Sequence, residues 1–178
     1  VPVVGLITHD ETPQYELDDV VVTGTRAMSL QSSVPMTITV VDKNSLQDRY
    51  ESSLLNILNE QVAGFFVTQR ALTGYGISSG SAGGINIRGV GGANSAQVLV
   101  LIDGHPQYAG LMGHPIADAY QIPYVERVEV VRGPASTIYG SNAMGGVINI
   151  ITEKPLNDVI SGSGRVSYGS FNTLESSV

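Results

Sequence analysis

The chain has no cysteine in its 178 residues. That excludes a disulfide framework and thiol chemistry, and it fits a reducing or an oxidising compartment equally. Lysine occurs only at Lys43 and Lys154, so none of the glycine-rich stretches ends in the lysine that a G-x-x-x-x-G-K-[ST] phosphate loop needs. A G-x-G-x-x-G fingerprint is absent as well. There is no run of about 18 apolar residues, the minimum for a membrane-crossing helix. No basic stretch precedes an apolar segment as in a signal peptide, which leaves the compartment open. Cationic surface is also missing. The net charge is −7, and residues 1–19 hold Asp10, Glu11, Glu16, Asp18 and Asp19 with no Lys or Arg, so −5 of it lies there and −2 in the rest. Neither part offers the basic face that nucleic acid requires, so nucleic acid is not an expected partner.

What is present suffices for one domain with a real core. Residues 1–17, with Pro2, Gly5 and Pro13, read as a mobile acidic leader. The stretch DDVVVTGTR (18–26) carries a short β-branched run that could be an interior strand but, after such a leader, better suits an exposed arm. Strand patterning follows at 36–41. Ser45 or Asn44 can cap a short helical turn, and Ser52 or Ser53 a second helix. On that helix Leu54, Leu55, Ile57, Leu58 and Val62 share one face, and Gly64 suits its C′ position. Residues 65–67 form a strand candidate, 72–84 (LTGYGISSGSAGG) a loop, and INIRG (85–89) a half-buried strand. The most apolar strand, 97–103, is expected at the centre of the sheet. A long irregular segment, 104–123, leads to the strand VERVEVV (125–131). Pro134 is placed at N1 of a single helical turn, and VINIIT closes the block. The class is α+β, a small mixed sheet of four to five strands with short helices and long loops. Beyond residue 155 small or polar residues alternate with a few larger ones, the pattern of a membrane barrel strand.

The stretch ERVEVVRGPASTIYGSNAMGGVINIIT (126–152) places Gly133, Gly140, Gly145 and Gly146 between two strands. Such density means turns with positive φ, or backbone packed against something, either a phosphate or another piece of protein. Enzymatic readings find little support. Ser78 lies in a G-x-S-x-G match at 76–80, but loop and strand follow it where a nucleophile elbow needs a helix. His105 and His114 share the irregular segment with Asp103 and Asp118, and their His-Pro dipeptides account for turns without a fixed metal. No metal and no cofactor is expected. On strand 125–131, positions 127 and 129 share one face and 126, 128 and 130 the other, with Val128, Val130 and Ile148 as core. Arg88 and Arg132 each end a strand before a glycine, which suits bidentate carboxylate pairing with a surface outside the chain.

Three blocks, IRG (87–89), VLVLIDG (98–104) and the 126–152 stretch, resemble in order and spacing the plug domain of TonB-dependent outer-membrane receptors. The likeness runs from about residue 18 to 155. One departure is Ala63-Gly64, where family plugs often carry Pro-Gly. The resemblance implies a leader (1–17), a TonB box (18–24), a plug (25–155) and the start of a β-barrel (156–178). It implies no enzymatic activity. The box residues Asp18, Asp19, Val20, Val21, Val22 and Thr23 would bind the TonB C-terminal domain by strand addition. Arg88 and Arg132 would latch to glutamates on the wall of an enclosing barrel. Tyr75, His105, Gln107, Tyr108 and His114 would contact the ligand from apical loops. Implied cargo is a scarce nutrient such as a siderophore, haem, cobalamin or other metal chelate, and the implied location is the outer membrane. A barrel of this type needs several hundred more residues, so residues 159–178 are expected to be disordered or to self-associate through an open strand edge. A soluble plug-like binding or signalling module is the alternative.

Overall fold

A computed structural model describes residues 19–47, 53–68, 84–92, 97–107, 120, 122, 124–154, 162 and 164–177. The expected α+β class is found. Five strands form the main sheet: β3 (Thr37–Asp42), β7 (Val98–Ile102), β8 (His105–Pro106), β9 (Val125–Arg132) and β10 (Gly146–Thr152). Their order is β3-β9-β10-β7-β8, with β10 parallel to β7 and the other pairings antiparallel. The centre is therefore β10, and the expectation that 97–103 would occupy it is corrected. An unbroken apolar run reports burial on both faces, which β7 has in fourth place.

The two faces carry separate cores. On one side Leu54, Leu55, Ile57 and Leu58 of helix α2 (Leu54–Gln61) pack with Val128, Val130, Ile148 and Ile150 of the sheet. This is the helical face expected from the periodicity. A three-stranded sheet of β4 (Phe65–Val67), β5 (Ile85–Ile87) and β6 (Val90–Gly91) adds Phe65, Val67, Ile85 and Ile87 to the same core. On the other side Val131, Val147, Leu99 and Leu101 lie under Val21, Val34, Ala135 and Ala143. Both faces of the sheet are thus covered, and the outer layer on the second face begins with the expected arm.

Local signals were met with small shifts. Helix α1 (Lys43–Gln47) is capped by Asp42, whose Oδ1 accepts the Ser45 amide at 2.9 Å, so the cap is neither Asn44 nor Ser45. Ser53 holds the N-cap position of α2 without a side-chain cap bond, and the Leu54 amide donates to the Tyr120 carbonyl at 3.1 Å. Gly64 has φ +77 two residues past the C-cap Val62. Helix α3 (Ser136–Tyr139) starts after Ala135, so Pro134 precedes its N-cap.

Protein fills the space beside Gly145 and Gly146, whereas Gly140, at φ +87, has no atom of the described residues within 4 Å of its Cβ position. A Cβ on Gly145 would stand 2.8 Å from the Val90 carbonyl oxygen and 3.1 Å from Val98 Cγ2, and one on Gly146 would run into the Val131 carbonyl oxygen. The two residues sit where β9, β10, β7 and the β5–β6 turn converge, with Gly145 donating to the Gln97 carbonyl at 2.8 Å and accepting from the Gly133 amide at 3.1 Å.

Residues 165–177 form an antiparallel hairpin of β11 (Arg165–Gly169) and β12 (Thr173–Ser177). This corrects the expectation of disorder for residues 165–177, because the strand finds a partner one turn along the chain. Tyr168 stands opposite Leu174 and shares a face with Val166, and all three are exposed.

Candidate functional site

The described part of the 18–23 run is not an exposed arm. β1 (Val20–Val21) pairs antiparallel with β2 (Ser29–Leu30), while Val21 and Thr23 are fully buried. β-branched residues favour extended backbone whether solvated or packed, and here the extended segment lies over the Val131–Val147 face of the sheet. Asp19 and Val20 remain exposed. Asp18 lies outside the described residues.

Polar contacts fix this segment beneath its surface. Glu129, in the middle of β9, has no exposed side-chain surface. Its Oε2 accepts the amide of Val22 at 2.9 Å, the amide of Thr23 at 2.8 Å and the hydroxyl of Thr23 at 2.7 Å. Its Oε1 accepts Arg127 Nε at 3.1 Å. A buried carboxylate is tolerated only with such a set of donors. The Thr23 hydroxyl also accepts Asn149 Nδ2 at 3.0 Å, and the Thr23 carbonyl accepts the Tyr139 hydroxyl at 2.8 Å. Asn149 accepts in turn from the Gly104 amide at 3.1 Å. Arg26, with φ +58, lies over the Tyr139 ring at 4.6 Å. Burial pushes the Tyr139 hydroxyl above its ordinary pKa, against the pull of the Arg26 charge. A cavity of about 1010 Å³ opens beside this network, lined among others by Val22, Arg26, Arg127, Tyr139 and Lys154.

Sequence reasoning did not find Glu129, Asn149 and Tyr139 as partners of the 18–23 run. The available signal was that Glu129 shares its strand face with Val131, which marks that face as covered too.

Arg88 and Arg132 are brought together. Arg88, exposed and at φ +53, directs Nη1 to the Arg132 carbonyl at 3.4 Å, and its own amide donates to the Gly64 carbonyl at 2.7 Å. Arg132, half-buried, donates Nη1 to the Ala63 carbonyl at 3.2 Å, and its buried Nε has no partner among the described residues. Two guanidinium groups thus converge on backbone oxygens, with no carboxylate paired to either among the described residues.

His105 and Gln107 lie elsewhere. β7 runs from Val98, opposite Gly146 and near the arginine pair, to Ile102, and the Asp103–Gly104 turn then carries the chain to exposed His105. Asp103 Oδ1 and Oδ2 accept from the amide and hydroxyl of Thr152 at 2.9 and 2.6 Å. Partial burial raises the Asp103 pKa, but those bonds and the charges of His105 and Lys154 outweigh it and leave the pKa below the usual carboxylate value. Gln107 is tied locally, its Nε2 to the His105 carbonyl at 3.0 Å. The turn bearing His105 is thus at the opposite end of β7 from Val98. Tyr75, Ser78, Tyr108 and His114 lie outside the described residues. No group of three or more metal-ligating side chains occurs among the described residues.

Comparison with known proteins gives this arrangement a family. Residues 30–147 match the model of the TonB-dependent receptor plug domain. Among solved structures, the ferric yersiniabactin uptake receptor FyuA from Yersinia pestis is 28% identical over 76% of this chain and 19% of that one, with a TM-score of 0.53. The ferripyoverdine receptor of the Pseudomonas aeruginosa outer membrane is 22% identical over 89% of this chain and 19% of that one, with a TM-score of 0.66. The siderophore receptor PiuA from Acinetobacter baumannii gives 22% identity, coverage of 89% and 20%, and a TM-score of 0.61. The chain spans about a fifth of the length of these receptors. With a matched segment that covers most of the chain and a fold shared with receptor plugs, the protein belongs to the TonB-dependent receptor plug domain family.

Proposed function

We propose that this chain is the gate of a TonB-driven outer-membrane importer, and that its cargo is a scarce metal chelate. The plug-family match over residues 30–147 carries the reading. The receptors it resembles are named for ferric yersiniabactin, ferripyoverdine and siderophores, which favours an iron chelate over the other cargoes of such importers. In this reading residues 18–23 are the segment on which TonB pulls, by adding its own strand to their main chain. Arg88 and Arg132 face glutamates of the barrel wall, whose carboxylates would replace the backbone oxygens they now contact. The ligand meets apical loops that include Tyr75, His105, Gln107, Tyr108 and His114. The outward apolar residues Val166, Tyr168 and Leu174 suit a strand pair that meets lipid. The task is mechanical and requires no active site.

Because the chain has no cysteine, single cysteines introduced from residue 18 to 26 are unique probes. Cross-linking to a TonB C-terminal domain with one cysteine on its edge strand should peak at 19–23 and alternate along the chain. Cross-links spread evenly, or concentrated outside this segment, would overturn the assignment of the box.

A further inference from the structure

We propose that Glu129 is an internal latch that holds the box segment against the sheet and sets how readily it is given up to TonB. The proposal rests on the box assignment above.

The observation is one of competition for the same main-chain groups. A partner strand binds 18–23 through backbone N–H and C=O groups along one edge. In this structure one edge of Val20 and Val21 is taken by Leu30 and Ser29, and the Gln31 amide donates to the Asp19 carbonyl at 2.8 Å. The amides of Val22 and Thr23 are taken by one oxygen of Glu129. A side-chain carboxylate thus stands where a neighbouring strand would supply carbonyl oxygens. Thr23 is held on every polar atom. Its amide and hydroxyl donate to Glu129, its hydroxyl accepts from Asn149, and its carbonyl accepts from Tyr139. All three partners come from the 126–152 block, more than 100 residues along the chain.

The strand ladder of β9 does not use the Glu129 side chain. β9 is already paired on both sides, by β3 and β10, and its other face is filled by Val128 and Val130. Removing the carboxylate leaves the strand ladder whole but leaves two box amides without their acceptor. Apart from the Arg127 bond, the loss therefore falls on the docked segment. If TonB binds only the released box, its apparent affinity scales with the released fraction. A weaker latch then gives tighter TonB binding, up to the limit at which the box is always free.

The test is amide hydrogen exchange on the whole chain, without TonB, comparing wild type with Glu129→Gln and Thr23→Val. The second variant keeps a β-branched side chain of the same shape and removes only the hydroxyl, so it reports even if the first packs poorly. Charge-assisted bonds to a carboxylate are about twice as strong as neutral ones, so exchange at residues 21–25 should quicken by about tenfold or more. Amides of Val130 and Ile148 should keep their protection. Unchanged exchange at 21–25 with an intact core would overturn the latch. So would equal loss of protection in box and core in both variants, which would make Glu129 an ordinary core residue. Titration with a TonB C-terminal domain separates the two readings. Faster exchange with a matching gain in affinity in Glu129→Gln supports both. Faster exchange with no TonB binding by any form supports the latch and rejects the box assignment.

Discussion

Gly146→Ala tests whether the glycines of the 126–152 block serve packing. Gly146 opens the central strand, paired to Arg132 on one side and Val98 on the other. A methyl group there would run into the Val131 carbonyl oxygen and stand 3.0 Å from Ile87 Cδ1. The carbonyl cannot retreat, because β9 is held between β3 and β10. Overpacking of this kind costs about 1–3 kcal/mol. The φ of +154 is a conformation that L side chains rarely adopt, and strain of that sort costs about 1–3 kcal/mol more. The expected loss is about 2–6 kcal/mol against a total stability of about 5–15 kcal/mol. Urea unfolding followed by circular dichroism measures it as a lower midpoint at unchanged slope. Gly169→Ala is the control, since no atom of the described residues lies within 4 Å of its Cβ position. A Gly146→Ala unfolding free energy within about 0.5 kcal/mol of wild type would refute the steric argument.

Other outcomes follow from the same contacts. Asp103 and Asp42 have lowered pKa values, Asp42 through the hydrogen bonds from Ser45. Their stabilisation is complete above the unfolded carboxylate value near 3.8 and fades as pH falls through the folded value, so Asp103→Asn should flatten the acid limb of a stability–pH curve. Tyr139, raised above 10.0, contributes stability that is complete below that value and lost as pH climbs through its folded pKa; Tyr139→Phe should shrink the alkaline loss seen in the same titration. Arg88→Ala should change the stability of this chain by less than about 1 kcal/mol, measured by urea unfolding, because Arg88 is exposed and its guanidinium bond to the Arg132 carbonyl is long at 3.4 Å. A form ending at Pro155 removes the exposed apolar hairpin; if the full chain self-associates, light scattering should show the shortened form as the smaller species.

The elements were legible wherever a short-range pattern specifies them. The 3.6-residue period placed Leu54, Leu55, Ile57 and Leu58 on one buried face, and alternation placed Val128, Val130 and Ile148 in a core. Strand order was not legible, since hydrophobicity reports burial and not neighbours, and β7 looks central for that reason. The 20–23 run misled because β-branched residues favour the extended form in an arm and in a packed strand alike. What decides between them is Glu129, over 100 residues away, and a contact of that separation leaves no local mark. Arg88 and Arg132 were legible singly, as strand-end cations before glycines. Their convergence depends on the turn after β5 reaching the end of β9. The tail was legible in its alternation, but its closure into a hairpin depended on a turn at Ser170–Asn172, where Phe171 and Asn172 take positive φ.

The central claim is that residues 18–23 couple this plug to TonB by strand addition. Calorimetric titration of the chain with the periplasmic C-terminal domain of a TonB from the same source tests it most directly, with Val21→Pro alongside. Proline removes a backbone N–H and fixes φ, so it cannot serve in the ladder. Saturable binding by the wild type that is lost in Val21→Pro is the predicted result. Equal binding by both forms, with the fold of each confirmed by circular dichroism, would contradict the claim.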